Sequence, residues 1–217
     1  MSLGERCVQW CLSRAAEEPL PSVEALAIWF ERVERDGQDM SWLAAAIRNN
    51  GKRYDHCAAA QCAAARECLY DGEQMPHGYR AAAKELMRDA IDHGTWHDVA
   101  ELRAGEWAAR PGDLVIYDRS TPGDPSSAWK GHVDRVVSVV GDWRLETIGA
   151  NEVEGRWRQE IESVDNPRML GVVAYPVEPE DDKPRRTISE ADAERVRVEV
   201  ALTTEVQLLD YWEKYHR

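Results

Sequence analysis

The stretch YDHCAAAQCAAAREC, residues 54–68, decides the fold of this 217-residue chain. From Cys57 onward it consists almost entirely of Ala and Cys, which predicts a small-sided helix that is apolar nearly all round. Such a helix should be buried, with other elements packed close against it. Cys57 then stands at the first turn, where free backbone N–H groups and the positive end of the helix dipole favour a nucleophilic thiolate. Our first hypothesis is that Cys57 is a catalytic nucleophile.

The elements around this helix change type along the chain. Helical spacing of apolar residues predicts further helices over residues 4–17, 22–36, 41–50 and 79–93. Beyond Pro111 short apolar and β-branched runs predict strands over residues 114–117, 132–140, 144–148, 157–161 and 169–175. Helices followed by an antiparallel meander indicate the α+β class, with the N-terminal helices packed on the sheet.

Charge and hydropathy exclude several classes of function. The net charge of −13 gives neither a nucleic-acid footprint nor attraction to an anionic membrane. The chain lacks an apolar run of about 20 residues that would span a bilayer. Glu5 and Arg6 precede any apolar run, so we expect no secretory signal and a soluble, cytoplasmic protein, unless it is exported by a signal-independent route.

The cysteine pattern favours neither disulfides nor metal. There are five cysteines, an odd number, and no two of them form a Cys-x-x-Cys pair. A disulfide framework and a structural zinc site are therefore not expected. Apart from Cys57, the cysteines are interpreted as small apolar filler: Cys7, Cys11, Cys62 and Cys68.

A thiol nucleophile needs a base, and His132 is the best candidate. It begins the strongest predicted strand directly after Gly131, where the missing side chain allows close approach of a substrate or another backbone. His56 adjoins Cys57, but neighbours on a helix start point apart. The other internal histidines lie in loops or helix ends rich in polar residues, where a surface position is favoured: His77, His93 and His97.

Four motifs in this order resemble the CHAP amidase/peptidase families of the NlpC-type, papain-like clan. They are Cys57 with its small-residue helix, the strand PGDLVIYD at residues 111–118, the strand GHV at residues 131–133 and the segment Gly149-Ala150-Asn151. The resemblance covers residues 4–176. It implies a papain-like fold in which Cys57 is the nucleophile and His132 is the base.

The same resemblance implies a third polar residue that orients His132. The matching position is Asn151, which can accept from the imidazole N–H as in a Cys-His-Asn arrangement. The carboxylate usual in the family would stand at Gly149 and is absent, and Glu152 substitutes if the register differs by one residue. The resemblance thus implies Cys57, His132 and Asn151 as the catalytic residues.

One more departure from the family concerns Asp134, which stands where a small residue is usual. Two residues after His132 on a strand, it shares that residue's face. It either interacts with the imidazolium, contacts a cationic substrate group or is a solvated side chain.

The backbone N–H of Cys57 and the residue Tyr54 are candidate oxyanion donors, and Gln61, one turn along the helix, is a candidate for the cleft floor.

The implied function is a cysteine hydrolase that cleaves an amide bond in peptidoglycan stem peptides, as an amidase or endopeptidase of a phage lysin or antibacterial effector. It needs no metal or cofactor. Two alternatives stay open: a catalytically silent papain-like domain that binds a partner, and a thiol acyltransferase or deamidase that acts on a protein.

Beyond the catalytic domain, predicted over residues 1–176, the composition shifts. Residues 177–186 read as an acidic, proline-flanked linker, and residues 187–217 as an amphipathic C-terminal helix. This helix either packs on the domain, self-associates or binds a protein partner.

Overall fold

Helices occupy most of the first half of the chain and strands the second. The computed structural model describes residues 1–141, 143–151 and 153–176, so the predicted linker and C-terminal helix lie outside the described residues. The helices are α1 (Leu3–Glu17), α2 (Val23–Phe30), α3 (Trp42–Asn50), α4 (Cys57–Cys68), α5 (Ala83–His93) and α6 (Val99–Ala104). The strands are β1 (Glu34–Arg35), β2 (Gln38–Asp39), β3 (Trp96–Asp98), β4 (Leu114–Asp118), β5 (Gly131–Val139), β6 (Arg144–Gly149), β7 (Arg158–Ser163) and β8 (Met169–Val173).

Helix starts follow local capping chemistry. Ser2 and Glu5 form a capping box at α1, and the Ser22 hydroxyl accepts from the Ala25 N–H at α2. The predicted start of α5 near Tyr79 is wrong. Residues 79–82 run instead beside β1, where the Tyr79 carbonyl accepts from the Glu34 N–H at 2.9 Å, and the helix begins at Ala83.

The main sheet has six strands in the order β3-β8-β4-β5-β6-β7, and every neighbouring pair is antiparallel. The run from β4 to β7 is the predicted meander. Strand β8 departs from it, since it returns to pair with β4 on the other side. The short strand β3, missed by the sequence, pairs with β8 at one edge. The mixed α+β architecture is confirmed.

Helix α4 is the buried centre of the helical layer, as predicted. All residues from Cys57 to Ala65 are buried, and the helix packs against α1, α2 and β5. The sheet is covered on its other face by a second apolar cluster that includes Leu102 of α6 and Val136 of β5. The described residues contain no helix long and apolar enough to cross a membrane.

The Pro-Gly-Asp turn before β4 is held against the first helix. Gly112 has a φ of +100°, and a Cβ placed on it would lie 2.3 Å from the Cα of Gly4. Only glycine fits this contact, because any side chain would push α1 away and strain the left-handed backbone. The turn therefore fixes the start of β4, and through β4 the position of β5.

Candidate active site

Cys57 is the first residue of α4 and lines a cavity of about 360 Å³. The thiol residue is 6% exposed. His56 forms the N-cap with φ −124° and ψ 9°, and its carbonyl accepts from the Ala60 N–H at 2.9 Å. The Cys57 N–H belongs to the first turn, whose amides have no carbonyl partner within the helix. The helix start can therefore stabilise negative charge beside the thiol.

His132 is paired with a carboxylate from its own strand. The Nε2 atom of His132 lies 2.7 Å from Oδ1 of Asp134, and both residues are buried. They are two residues apart on β5, which places them on one face of the sheet as the sequence predicted. The Cys57 thiol is close enough to the same ring to interact with it electrostatically.

The neighbouring strand β6 leaves space for the Asp134 carboxylate because the residue facing it is a glycine, Gly149. A Cβ built on Gly149 of β6 would lie 1.8 Å from Oδ1 of Asp134 and 3.2 Å from Nε2 of His132. The volume that a side chain would occupy at Gly149 is therefore filled by the Asp134 carboxylate. Gly149 is a structural requirement of the His132–Asp134 contact.

The charges around His132 favour the protonated form of its imidazole. Burial by itself would lower the pKa of His132, but the negative charges of Asp134 and Cys57 and their hydrogen bonds outweigh it. The pKa of His132 is thereby raised well above its ordinary value. An imidazolium beside a thiol can stabilise the thiolate form of that thiol, which is the chemistry this group of residues could support.

Asn151 is not the residue placed on Nε2 of His132. Its side-chain amide donates to Oδ1 of Asp55 at 3.1 Å, and its φ of +64° turns the chain away at the end of β6. Asn151 lines the same cavity as Cys57. The alternative, Glu152, lies outside the described residues. Within the described residues, the side chain on Nε2 of His132 is therefore that of Asp134, where the sequence predicted Asn151.

Tyr54 lies in the cavity wall, where its ring packs edge-on against Phe30 with centroids 6.3 Å apart. Its carbonyl faces Nδ1 of His56 at 2.9 Å, which fixes the loop before α4. A contribution of Tyr54 to an oxyanion site stays a prediction.

The position predicted for Gln61 is wrong. Gln61 is fully buried in the core and is not part of the cavity lining. Its amide donates to the Ile148 carbonyl at 3.2 Å, and its Oε1 accepts from Nε of Arg135 at 3.0 Å. Arg135 is also completely buried, and it further donates to the Gly112 carbonyl and to the Tyr175 hydroxyl. Gln61 therefore accepts a hydrogen bond from the buried guanidinium of Arg135, whose burial the sequence analysis did not predict.

Two histidines outside the His132 pair are buried, and one of them, His77, was predicted at the surface. Nδ1 of His77 faces the Gly78 carbonyl at 2.8 Å, and Nε2 faces the Tyr175 hydroxyl at 2.7 Å. Burial lowers the pKa of His77 to about 4. His56, beside the nucleophile, is also buried, and its ring lies 5.9 Å from that of Trp29. For His77 the prediction of a surface position is wrong, because its ring contacts Tyr175, which is 98 residues away in the sequence.

The remaining polar clusters offer no metal site: within the described ranges, no three His, Cys, Asp or Glu residues are grouped to hold an ion. Cys7, Cys11 and Cys62 are buried free thiols, and Cys68 is half-buried. No family model, curated protein or solved structure matches this chain. The chemistry of the site is therefore argued from its geometry.

Proposed function

We propose that this protein is a cysteine hydrolase that cleaves amide bonds with the triad Cys57, His132 and Asp134. The observation that carries the proposal is the 2.7 Å contact between Nε2 of His132 and Oδ1 of Asp134, made on a ring whose pKa the nearby Cys57 thiol also raises. A nucleophile, a base and a group that orients the base are the three parts that thiol acyl transfer requires.

Each member of the triad has a defined step. The Cys57 sulfur attacks the amide carbonyl, and its proton resides on Nδ1 of His132, which passes it to the leaving amine. Asp134 holds the ring in position through Nε2 and stabilises the imidazolium. The Cys57 N–H, at the start of α4, donates to the oxyanion. Water, activated by His132, then hydrolyses the thioester and frees Cys57.

The two departures from the CHAP pattern account for each other under this proposal. In the family a carboxylate stands at the Gly149 position and a small residue at the Asp134 position. Here the carboxylate is on β5 and the glycine on β6, and the carboxylate fills the space above the glycine. The exchange keeps one carboxylate on the histidine, which supports assignment to the papain-like clan.

Peptidoglycan stem peptides are the substrate that this resemblance favours, in a phage lysin or antibacterial effector. The cavity beside Cys57 is at the small end of the range for ligand sites, which suits a short peptide segment.

The test compares wild-type protein with Cys57→Ala, Asp134→Asn and Asn151→Ala on purified peptidoglycan and on its soluble fragments. New amino groups released from the peptides measure the hydrolysis. We expect no hydrolysis by Cys57→Ala, a loss of at least about 10²-fold in Asp134→Asn because the ring loses its orienting charge, and a far smaller effect in Asn151→Ala.

Alkylation of the thiols provides a measurement that does not depend on the substrate. At neutral pH iodoacetamide should modify Cys57 faster than half-buried Cys68, as followed by peptide mass spectrometry. Full hydrolysis by Cys57→Ala would refute the mechanism. Peptide binding without hydrolysis by wild-type protein, together with a slow Cys57, would instead favour the silent binding domain.

A further inference from the structure

Three cations stand together at the cavity of Cys57, and we name them the cationic rim: Arg35, Arg119 and Lys130. Lys130 lies two residues before His132, and its carbonyl accepts from the Arg119 N–H at 3.2 Å. The Arg35 guanidinium lies over the ring of Trp129, 4.6 Å from its centroid. The rim therefore joins the β1–β2 hairpin to the end of the β4–β5 pair.

This concentration of positive charge contrasts with the rest of the chain. The protein carries a net charge of −13, and many of its cations are held by carboxylates, as in the pairs Arg80–Asp89 and Lys84–Asp118. Within the described residues, neither Arg35 nor Lys130 has a carboxylate at ion-pair distance. Among the described residues that line the cavity, Asp55 is the one acid, and it already accepts from Asn151.

The rest of the cavity wall is largely apolar. Phe30 of α2, Met40 after β2 and Leu43 of α3 line it, together with residues 81–83 at the start of α5. A ligand that fits this surface combines an apolar group with negative charge. Because the protein as a whole repels anions, only a local group of cations can hold such a ligand beside the thiol.

We propose that the substrate carries a free carboxylate close to its scissile amide and that the cationic rim binds this carboxylate. The assignment rests on the proposed function for the bond that is broken and adds the chemical class of the substrate, a carboxylate-bearing peptide with an adjacent apolar group. The guanidinium of Arg35, which lies over the Trp129 ring, has the planar fork of N–H donors that suits a carboxylate.

Two small alkylating reagents test the rim without any knowledge of the substrate. Iodoacetate and iodoacetamide attack the same sulfur, but only iodoacetate carries a carboxylate. The ratio of their rates at Cys57 cancels any change in the reactivity of the thiol itself. The alkylation is followed at each cysteine by peptide mass spectrometry, with Cys68 as the internal reference.

The ratio should fall about three-fold in Lys130→Gln, the effect expected of one unit charge at a separation on the order of 7 Å in water, and further in the double variant Arg35→Gln/Lys130→Gln. It should not change in Arg144→Gln, which removes an exposed cation from the start of β6, at the opposite end of the strand from Gly149. In 1 M salt the wild-type ratio should approach that of the double variant. An unchanged ratio in the double variant, or an equal fall in Arg144→Gln, would overturn the assignment.

A second arm uses soluble peptidoglycan fragments, either untreated or with their carboxyls converted to amides by carbodiimide and ammonia. Wild-type protein should hydrolyse the amidated fragments with a KM at least about three-fold higher, and Lys130→Gln should reduce that difference. Equal KM values for both preparations would overturn the carboxylate assignment and leave the hydrolase intact. Hydrolysis of neither preparation would overturn the proposed function and the substrate class with it, even where Cys57 prefers iodoacetate.

Discussion

Gly149→Ala is the substitution that most directly tests the triad. Gly149 is not among the residues with a left-handed backbone, so alanine fits its conformation. The new Cβ would lie 1.8 Å from Oδ1 of Asp134, whereas real Cβ contacts are essentially never under 3.0 Å. The carboxylate must therefore retreat by about 1.2 Å or more, the difference between these distances. Such a movement breaks its 2.7 Å contact with Nε2 of His132.

The displacement should affect catalysis far more than folding. Overpacking by one methyl group costs about 1–3 kcal/mol of unfolding free energy, which a domain of ordinary stability survives. A misplacement of about 1 Å in a positioning group costs about 10²-fold in rate, and complete loss of the ring's orientation about 10⁴-fold. We expect a fall in kcat/KM of about 10²- to 10³-fold with the protein still folded.

Peptide hydrolysis and urea unfolding are measured together on Gly149→Ala and on Gly149→Ala/Asp134→Gly. The second variant removes the clash and the carboxylate at once, so stability should return while activity stays low. The exchange Gly149→Glu/Asp134→Gly places a carboxylate on β6 and should recover part of the activity. If Gly149→Ala keeps more than half of the wild-type kcat/KM, the assignment of Asp134 is wrong. Recovery of activity in Gly149→Ala/Asp134→Gly would refute it as well.

Three further predictions concern the buried polar groups. The pKa of His77 is lowered to about 4 in the folded protein, whereas its value in the unfolded chain is about 6.5. Between these pH values the unfolded chain binds a proton that the folded protein does not. The free energy of unfolding should therefore fall by about 3 kcal/mol between pH 6.5 and 4. His77→Gln should flatten this acid limb in urea unfolding, and an unchanged limb would contradict the assignment. The pH dependence that His132 gives to stability should have the opposite sign, because its pKa is raised in the folded protein. Protonation of His132 stabilises the fold fully below about pH 6.5, and this stabilisation is lost as the pH rises through the pKa of the folded state. The stability difference between wild type and His132→Gln, followed from pH 6 upward, should therefore shrink. Arg135→Met leaves the Gln61 and Gly112 oxygens buried without their donor and should reduce the unfolding free energy by about 3 kcal/mol, measured by urea unfolding, whereas a neutral effect would show that these groups find other donors.

Local patterns in the sequence were sufficient for α1 to α4, for most of α5 and for two members of the site, whereas the six-residue helix α6 was not predicted. The run of Ala and Cys predicts a buried α4 because few other residues suit a helix in contact with neighbours on all sides. The β-branched run predicts β5, with His132 at its start. The short strands β1, β2 and β3 escaped because they have two or three residues each and exist only through their partners. Strand β3, for example, is defined by pairing Trp96 with Val173.

The buried polar residues show a different limit of sequence reasoning. His77 and Arg135 both meet Tyr175, which follows β8 at the end of the described domain. Spacing along the chain carries no information about such contacts, and a histidine in a loop or an arginine in a strand is more often exposed. Their burial is decided by the return of β8 to the side of β4, a topological step that the prediction of a simple meander lacked.

The role of Asp134 depends on a register shift that no residue in the sequence marks. At the hairpin end of β5 and β6, Val139 pairs with Leu145 and Ser138 with Glu146. Continued without change, this register would place Gly149 opposite Arg135. A β-bulge between Val136 and Ser138 shifts it by one residue, so Arg135 pairs with Ile148 and the position of Asp134 falls opposite Gly149.

The bulge therefore brings together the two residues that depart from the family pattern, Gly149 and Asp134. Without the bulge, Gly149 would lie opposite Arg135, whose side chain is on the other face of β5 from that of Asp134. The Asp134 carboxylate would then face a different residue, one that has a side chain. Face parity along β5 was readable from the sequence and correctly placed Asp134 beside His132. Which residue of β6 stands across from it was not readable, because the register depends on the bulge between Val136 and Ser138, and the local sequence does not mark that bulge. The carboxylate that we propose to orient His132 was thus present in the sequence, and only the cross-strand register singles it out.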